Sequence, residues 1–393
     1  MTLANAHALF CGLKADPSYL ANLTVPDRER FELLAARKLV RTTLRAAAKK
    51  IAVQEDYWQD VYRSRVSSRN RPVVEIKFMT QGSFAYQTLN SPARIPAQEI
   101  DLDDGMYVPV EFLENGEPAL AAKGLFAFAD AALLPLCDQK GWELDTSKEC
   151  CIRVRVWKGA HIDLPIYSIP RDRFETITET LAKSDTFYFA HDSVSGPRKI
   201  PSDLIMLAHR SGRWAHSDPQ LLHDWVEARV DRYGPVYRRL CRFFKGWRDF
   251  TWDRSKLSSI TIMRAIDLAL SEMPGLPTEN RDDELILEIA RRLPSILGGK
   301  ITNPVIENLV LNNWSSEVRD EIVGKATTLK DEMEAALERT GVAHLVVKRL
   351  QNGFGLRIPN RPDAIKIAST IAAIQSAPAA TVAAPRVIRS TSG

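Results

Sequence analysis

Gln81-Gly-Ser-Phe-Ala-Tyr-Gln-Thr88 and, after a proline-containing loop, Glu99-Ile-Asp-Leu-Asp-Asp-Gly105 form the stretch on which the fold turns. Asp101 and Asp103 stand two apart in an alternating run, so on a strand both side chains leave the same face of the sheet. Two carboxylates a few ångströms apart repel each other unless a cation lies between them. Oxygen donors on one strand suit Mg²⁺, which takes one or two carboxylates together with substrate phosphates. Upstream, Gly82-Ser83 offers a tight turn whose N–H groups and hydroxyl can hold a phosphate. The pair of motifs points to metal-dependent phosphoryl or nucleotidyl transfer. Asp104 faces the other way and reads as a turn or capping residue before Gly105.

Working outward, Val73 to Met79 is rich in β-branched and apolar residues and predicts a strand running into the Gly82-Ser83 turn. Glu99 to Val110 is the carboxylate strand. Ile152 to Trp157 and Ala160 to Ile166, separated by Lys158-Gly159, predict a hairpin whose second strand carries Asp163. If that strand lies beside the carboxylate strand, three acids converge near the Gly-Ser turn. Such a trio would hold two Mg²⁺ ions, with Mn²⁺ as the substitute, against a triphosphate and an attacking ribose hydroxyl. Asp101, Asp103 and Asp163 are therefore the candidate catalytic and metal-ligating residues. His161, beside Asp163, reads as a packing or hydrogen-bonding residue.

Asp27 to about Gln54 keeps a helical apolar rhythm behind Pro26 and predicts one long early helix. Leu120 to Leu134 predicts a helix that Pro135 helps to end. From Ser202 strand signals fade and helical patterns run to about Gln375. The expected class is α+β: a core over residues 1–200, a helical lobe over 201–375, and a flexible Ala/Pro/Ser/Thr-rich tail over 376–393.

The 393 residues carry 45% hydrophobic and 26% charged side chains, ordinary for a globular chain, and a net charge of +4 gives no case for a nucleic-acid track. No run of apolar residues is long enough for a membrane span, and no signal-peptide pattern opens the chain. The five cysteines lack zinc-type spacing, which predicts reduced thiols and a cytoplasmic setting. No Walker A or Gly-x-Gly-x-x-Gly pattern occurs, which argues against a P-loop NTPase or a Rossmann enzyme.

In the helical half, Gly234-Pro235 opens a helix that presents Arg238, Arg242 and Lys245 on one side. This stripe is either a solvated face or, through Lys245, a triphosphate clamp. Ser258 and Ser259 begin the next helix, as caps, phosphate ligands or both. Tyr86, three residues past Ser83, suits a stacked purine or core packing. Arg153 and Arg155 share one strand face and could meet a second nucleotide's phosphates or face solvent.

Together these residues resemble the bacterial cGAS/DncV-like nucleotidyltransferases, second-messenger synthases of anti-phage defence. The likeness rests on Gln81–Asn90, Gln98–Pro109, His161–Pro170, Gly212-Arg-Trp, Ser217-Asp-Pro, Leu222–Trp225, Lys245–Phe250 and Ser258-Ser-Ile260. It covers about Arg71 to Ile260 closely and is nearest to cyclic GMP–AMP synthases of the DncV type or a related clade. The resemblance implies a polymerase-β-like core, a helical second lobe and a spine helix, for which Asp27–Gln54 is the candidate. It implies Asp101, Asp103 and Asp163 as catalytic carboxylates on Mg²⁺. Gln81, Gly82, Ser83, Lys245, Ser258 and Ser259 would lie on the donor triphosphate, Tyr86 on the donor base and Arg153 on the acceptor. ATP and GTP are the implied substrates, without a template nucleic acid, and a downstream effector would read the diffusible product. Members of this kind are often encoded beside a ubiquitin-transfer-like system that acts on the synthase's C-terminus, for which a tail ending in Gly393 has the right form. Transfer to an RNA end or a protein, or a cyclic dinucleotide of other bases, would use the same metal chemistry.

Overall fold

The computed structural model describes residues 2–12, 17–71, 74–110, 118, 120–170, 174, 205–217, 219–275 and 281–368. The tail 376–393, Gly393 included, and the 200/201 boundary lie outside the described residues.

Ten strands are named here: β1 (Ala4–Asn5), β2 (Lys77–Thr80), β3 (Ile100–Val110), β4 (Glu143–Asp145), β5 (Ile152–Trp157), β6 (Ala160–Leu164), β7 (Ile166–Pro170), β8 (Met206–Ala208), β9 (Trp214–His216) and β10 (Lys366–Ile367). The main sheet runs β4-β5-β6-β3-β7-β8-β9, and β2 pairs antiparallel with β3. β3 is the centre of the fold. It pairs in parallel with β6 through Ile100–Asp103 and, in the same register, with β7 through Met106–Val110. Pro165, which has no N–H to donate, separates β6 from β7.

Alternation then divides the sheet into two faces. Ile100, Leu102, Met106 and Val108 enter a core with Leu33, Val40 and Leu44 of the spine helix Asp27–Ala48 and with Leu125 and Leu133 of the helix Ala122–Lys140. The opposite face carries the acids and the stacked rings of Tyr107 and Tyr167, 4.9 Å apart. A second core fills the helical lobe around the helix Val236–Thr251, whose Phe243 packs against Phe10 and Tyr19. No helix among the described residues is long and apolar enough to cross a membrane. The five cysteines are free thiols.

The class and the carboxylate strand agree with the sequence reading, whereas several details differ. The spine helix ends at Ala48, not near Gln54, and short 3₁₀ turns continue the apolar rhythm. Pro135 lies inside its helix, which runs on to Lys140 and ends at Gly141 in a left-handed cap. Strands do not stop at residue 202: β8 and β9 extend the main sheet, and each is too short to show alternation. Conversely, His7–Phe10 and Tyr19–Leu23, from the start of the chain, pack in the helical lobe.

Candidate active site

The strand register builds the site. Asp101 lies opposite His161 and Asp103 opposite Asp163 across the parallel β3–β6 pair, so all four side chains share one face. One strand further, Arg153 lies opposite Asp163 and Arg155 opposite His161. Beyond them Asp145 and Glu143 of β4 face the two arginines. Columns of acid and base thus alternate across the sheet.

The arginines hold the neighbouring acids. Arg153 donates from Nε and Nη2 to the two oxygens of Asp163, at 2.7 and 2.6 Å. Arg155 pairs with Glu143 and Asp145, at 2.8 and 3.0 Å. Among the described residues no guanidinium pairs with Asp101 or Asp103: His161 lies beside Asp101 and Glu99, and Arg155 Nε is 3.8 Å from the other Glu99 oxygen. His161 Nδ1 lies 2.7 Å from Glu99 Oε2, and Nε2 lies 3.0 Å from Asp101 Oδ1 and 3.8 Å from Asp163 Oδ1. Burial works against a charge on His161, yet Asp101 and Asp163 outweigh it and raise its pKa above the usual imidazole value. Burial, reinforced by Asp101 and Asp163, pushes the Asp103 carboxyl up to about 8.

These are the marks of a place that wants positive charge. Asp101 Oδ1 and His161 Nε2 are both buried without a hydrogen-bond partner, and with Asp163 they offer three donor atoms within 4.8 Å of one another. Carboxylates with one imidazole are a donor set that fits a divalent cation.

The Gly-Ser turn sits directly on this set. Gly82 has φ +62, and a Cβ there would fall 1.9 Å from Asp103 Oδ2. The backbone N–H of Gln81 donates to the carbonyl of Asp103 at 2.8 Å. The Gln81 amide accepts from Tyr167 and donates to Tyr107, across a gap that Gly105 leaves open. Ser83 follows in the same turn, its carbonyl accepting from the N–H of Thr88.

The structure corrects three sequence readings. Asp104 is no cap: it is fully buried on the far face of β3 and paired with Arg41 of the spine helix. Arg153 has no free face, since it grips Asp163. Arg238, Arg242 and Lys245 form no solvated stripe. They stitch the two lobes together, Arg238 to the Tyr86 carbonyl and Glu227, Arg242 to Asn90, and Lys245 Nζ to the Thr88 carbonyl at 2.7 Å. Burial lowers the pKa of Lys245 to about 8. His161 hydrogen-bonds through Nδ1 to Glu99, in keeping with its sequence reading, and stands within the acidic set. The signal that could have found it was the shared alternation of Glu99-Asp101-Asp103 and His161-Asp163 on two paired strands.

The remaining candidates lie in the helical lobe or at the seam. Tyr86 is buried in the helical-lobe core with its ring 5.9 Å from His223. Ser258 caps its helix by accepting from the N–H of Thr261, while Ser259 Oγ accepts from Arg248 at 3.0 Å. Ser258 and Arg248 line a cleft of about 300 Å³ that Gln98 closes from the core side. No contact links either serine to the carboxylates.

A central parallel strand pair bearing acids on one face, a glycine turn pressed against them and a helical lobe behind define a nucleotidyltransferase of the polymerase-β-like fold. Residues 76–167 match the family model described as "Cyclic GMP-AMP synthase DncV-like, nucleotidyltransferase domain", and residues 234–367 match "Cyclic GMP-AMP synthase, C-terminal domain". The chain belongs to the DncV-like nucleotidyltransferase family. It is 31% identical over 325 residues to a cyclic GMP-AMP synthase of Escherichia coli (strain TW11681), covering 77% of this chain and 71% of that one. It is 29% identical over 423 residues to the cyclic GMP-AMP synthase of Vibrio cholerae, covering 95% of each. A solved structure of Vibrio cholerae DncV with ATP, GTP and 5MTHFGLU2 superposes with a TM-score of 0.78 at 28% identity, over 94% of this chain and 100% of the other. Another, with the linear intermediate 5′ pppA(3′,5′)pG, gives 0.75 at 26% identity, again over 94% and 100%.

Proposed function

We propose that this enzyme is a cyclic dinucleotide synthase that joins ATP and GTP into cyclic GMP–AMP by two successive nucleotidyl transfers in one site. The observation that carries the reading is the register that sets Asp103 opposite Asp163 while Gly82 presses on Asp103. The names of the relatives support two nucleotides, and not an RNA or a protein, as donor and acceptor.

Asp101, Asp103 and Asp163 would hold the divalent ions, two Mg²⁺ or Mn²⁺ in their place. When bound, these ions would neutralise the triphosphate and ease deprotonation of the attacking ribose hydroxyl. The chain's own residues do the rest. Gln81, Gly82 and Ser83 present the turn to the donor phosphates, next to the acids. Lys245 has three donors and uses one on Thr88, leaving two for a phosphate without leaving its seat. Ser258 and Ser259, at a helix N-terminus with Arg248, extend the anion-binding surface. Tyr86 lies beneath the donor base. Arg153, paired with Asp163 here, would be the residue that meets the acceptor phosphate.

Substrates of this kind and unbonded thiols support a cytoplasmic setting. The diffusible product would act through a downstream effector in anti-phage signalling, and Gly393 would be the point of conjugation to a partner. Deleting Gly393 and finding conjugation in cells unchanged would remove that last role. The main test is mass spectrometry of the product made from all four NTPs with Mg²⁺. A phosphatase-resistant cyclic GMP–AMP is expected, lost with EDTA and in Asp101→Asn or Asp103→Asn. Synthesis retained in either variant, or label appearing in RNA or protein, would overturn the reading.

A further inference from the structure

His161 is buried, at 5% exposure, within the acidic set, yet its Nε2 completes no hydrogen bond. Its other nitrogen fixes what Nε2 can be. Glu99 Oε2, 2.7 Å from Nδ1, is a carboxylate oxygen and accepts, so Nδ1 carries a proton and Nε2 is the nitrogen open to a metal ion. Nε2 faces Asp101 Oδ1 at 3.0 Å, another buried atom without a partner, and Asp163 Oδ1 at 3.8 Å. Asp163 Oδ1 already accepts from Arg153, whereas Nε2 and Asp101 Oδ1 form no hydrogen bond, and a cation between them would satisfy both. A carboxylate holding the far nitrogen of an imidazole is also how proteins orient a ligating histidine, setting its tautomer and raising its basicity. Strand pairing supplies the aim: His161 is the cross-strand neighbour of Asp101, and Asp163 follows two residues on along the same face.

We propose that His161 Nε2 is itself a metal ligand, a nitrogen donor beside Asp101 and Asp163, with Glu99 as the positioning residue that orients it. The proposal rests on the reading of this face as the metal site. It goes further, because an all-carboxylate set would favour Mg²⁺, whereas one imidazole shifts the preference toward Mn²⁺.

The probe is Mn²⁺ alone, added to the full-length protein without nucleotide and followed by pulsed electron paramagnetic resonance. A nitrogen ligand gives ¹⁴N modulation on the Mn²⁺ echo, replaced by the ¹⁵N pattern when the protein is made with ¹⁵N-histidine. Both are expected, and the modulation is expected to vanish in His161→Gln with Mn²⁺ binding weakened at least about tenfold. If His161→Gln fails to fold, His7→Asn decides the assignment. His7 belongs to the other His-containing cluster among the described residues, with Cys11 and Asp282, and Asn can still accept from the Asp282 N–H there. Modulation that persists in His7→Asn supports His161, and modulation that disappears there overturns it. Bound Mn²⁺ without histidine modulation in the wild-type protein overturns the proposal and leaves nucleotidyl transfer by the carboxylates standing. Dinucleotide synthesis failing while the modulation is present would remove the functional reading and leave this ligand in place.

Discussion

Arg41 of the spine helix reaches through the core to Asp104, placing Nε 2.7 Å and Nη2 2.5 Å from its two oxygens, one residue from Asp103. The pair is almost wholly buried, at 5% and 0% side-chain exposure. Thr80 of β2 joins it by accepting from Arg41 and donating to Asp104. The spine helix therefore grips β3 from the face opposite Asp101 and Asp103.

Removing one partner leaves a buried charge alone, which costs about 3–5 kcal/mol. Arg41→Met or Asp104→Leu is expected to lower stability by that order in denaturant unfolding. The double variant, with both charges gone, should recover most of the loss. Equal losses in the single and double variants would show that the pair does not act as a unit.

Gly82→Ala puts a methyl group where Asp103 Oδ2 lies and forces an L residue to φ +62. The backbone strain alone is about 1–2 kcal/mol, a few degrees in melting temperature. The collision displaces a catalytic carboxylate, so nucleotide consumption should fall by about 100-fold or more, because misplacement of about 1 Å already has effects of that order. Near wild-type turnover in a folded Gly82→Ala protein would contradict the contact.

Lys245 is charged in both the folded and the unfolded chain below about pH 8, so the cost of burying it is fully present there. Above its ordinary value of 10.5 neither state is charged and the cost is gone. Stability should therefore rise by on the order of 3 kcal/mol between these limits. In Lys245→Met that rise disappears from unfolding curves taken at pH 7.5 and pH 10. The variant should match or exceed the wild type in stability at pH 7.5 while losing triphosphate affinity.

Arg153 occupies both oxygens of Asp163 with a charge of the same sign as a metal ion. Arg153→Gln should tighten Mn²⁺ binding about tenfold at low ionic strength, measured by titration calorimetry, and raise the KM for the acceptor nucleotide. Weaker Mn²⁺ binding would mean that Arg153 supports the site and does not compete with the cation.

The acids were legible because alternation is local: Asp101-x-Asp103 declares a face without any knowledge of neighbours. Asp163 needed one long-range assumption, that its strand lies beside β3, and the parallel register supports it. The partner of His161 was missed, and the solvent-facing reading of Arg153 and the capping reading of Asp104 failed, for the opposite reason. Each acquires its role from a residue far along the chain (Glu99, Asp163 and Arg41), and no spacing rule carries that information. The basic stripe on the Val236–Thr251 helix failed similarly, since its positions looked solvent-facing until the residue 86–98 segment covered them. Three-residue strands such as β8 and β9 are shorter than any periodicity can register.

β6 and β7 meet β3 in a single register on either side of Pro165. That makes the site a reading frame. One residue inserted between Ile100 and Asp103, or between Ala160 and Asp163, would turn the acids beyond it into the apolar core, because side chains change face with every step. Two residues would restore the face but move each acid one partner along, away from the glycine turn. Added length can therefore be absorbed only in the connections outside these segments, where no acid loses its face.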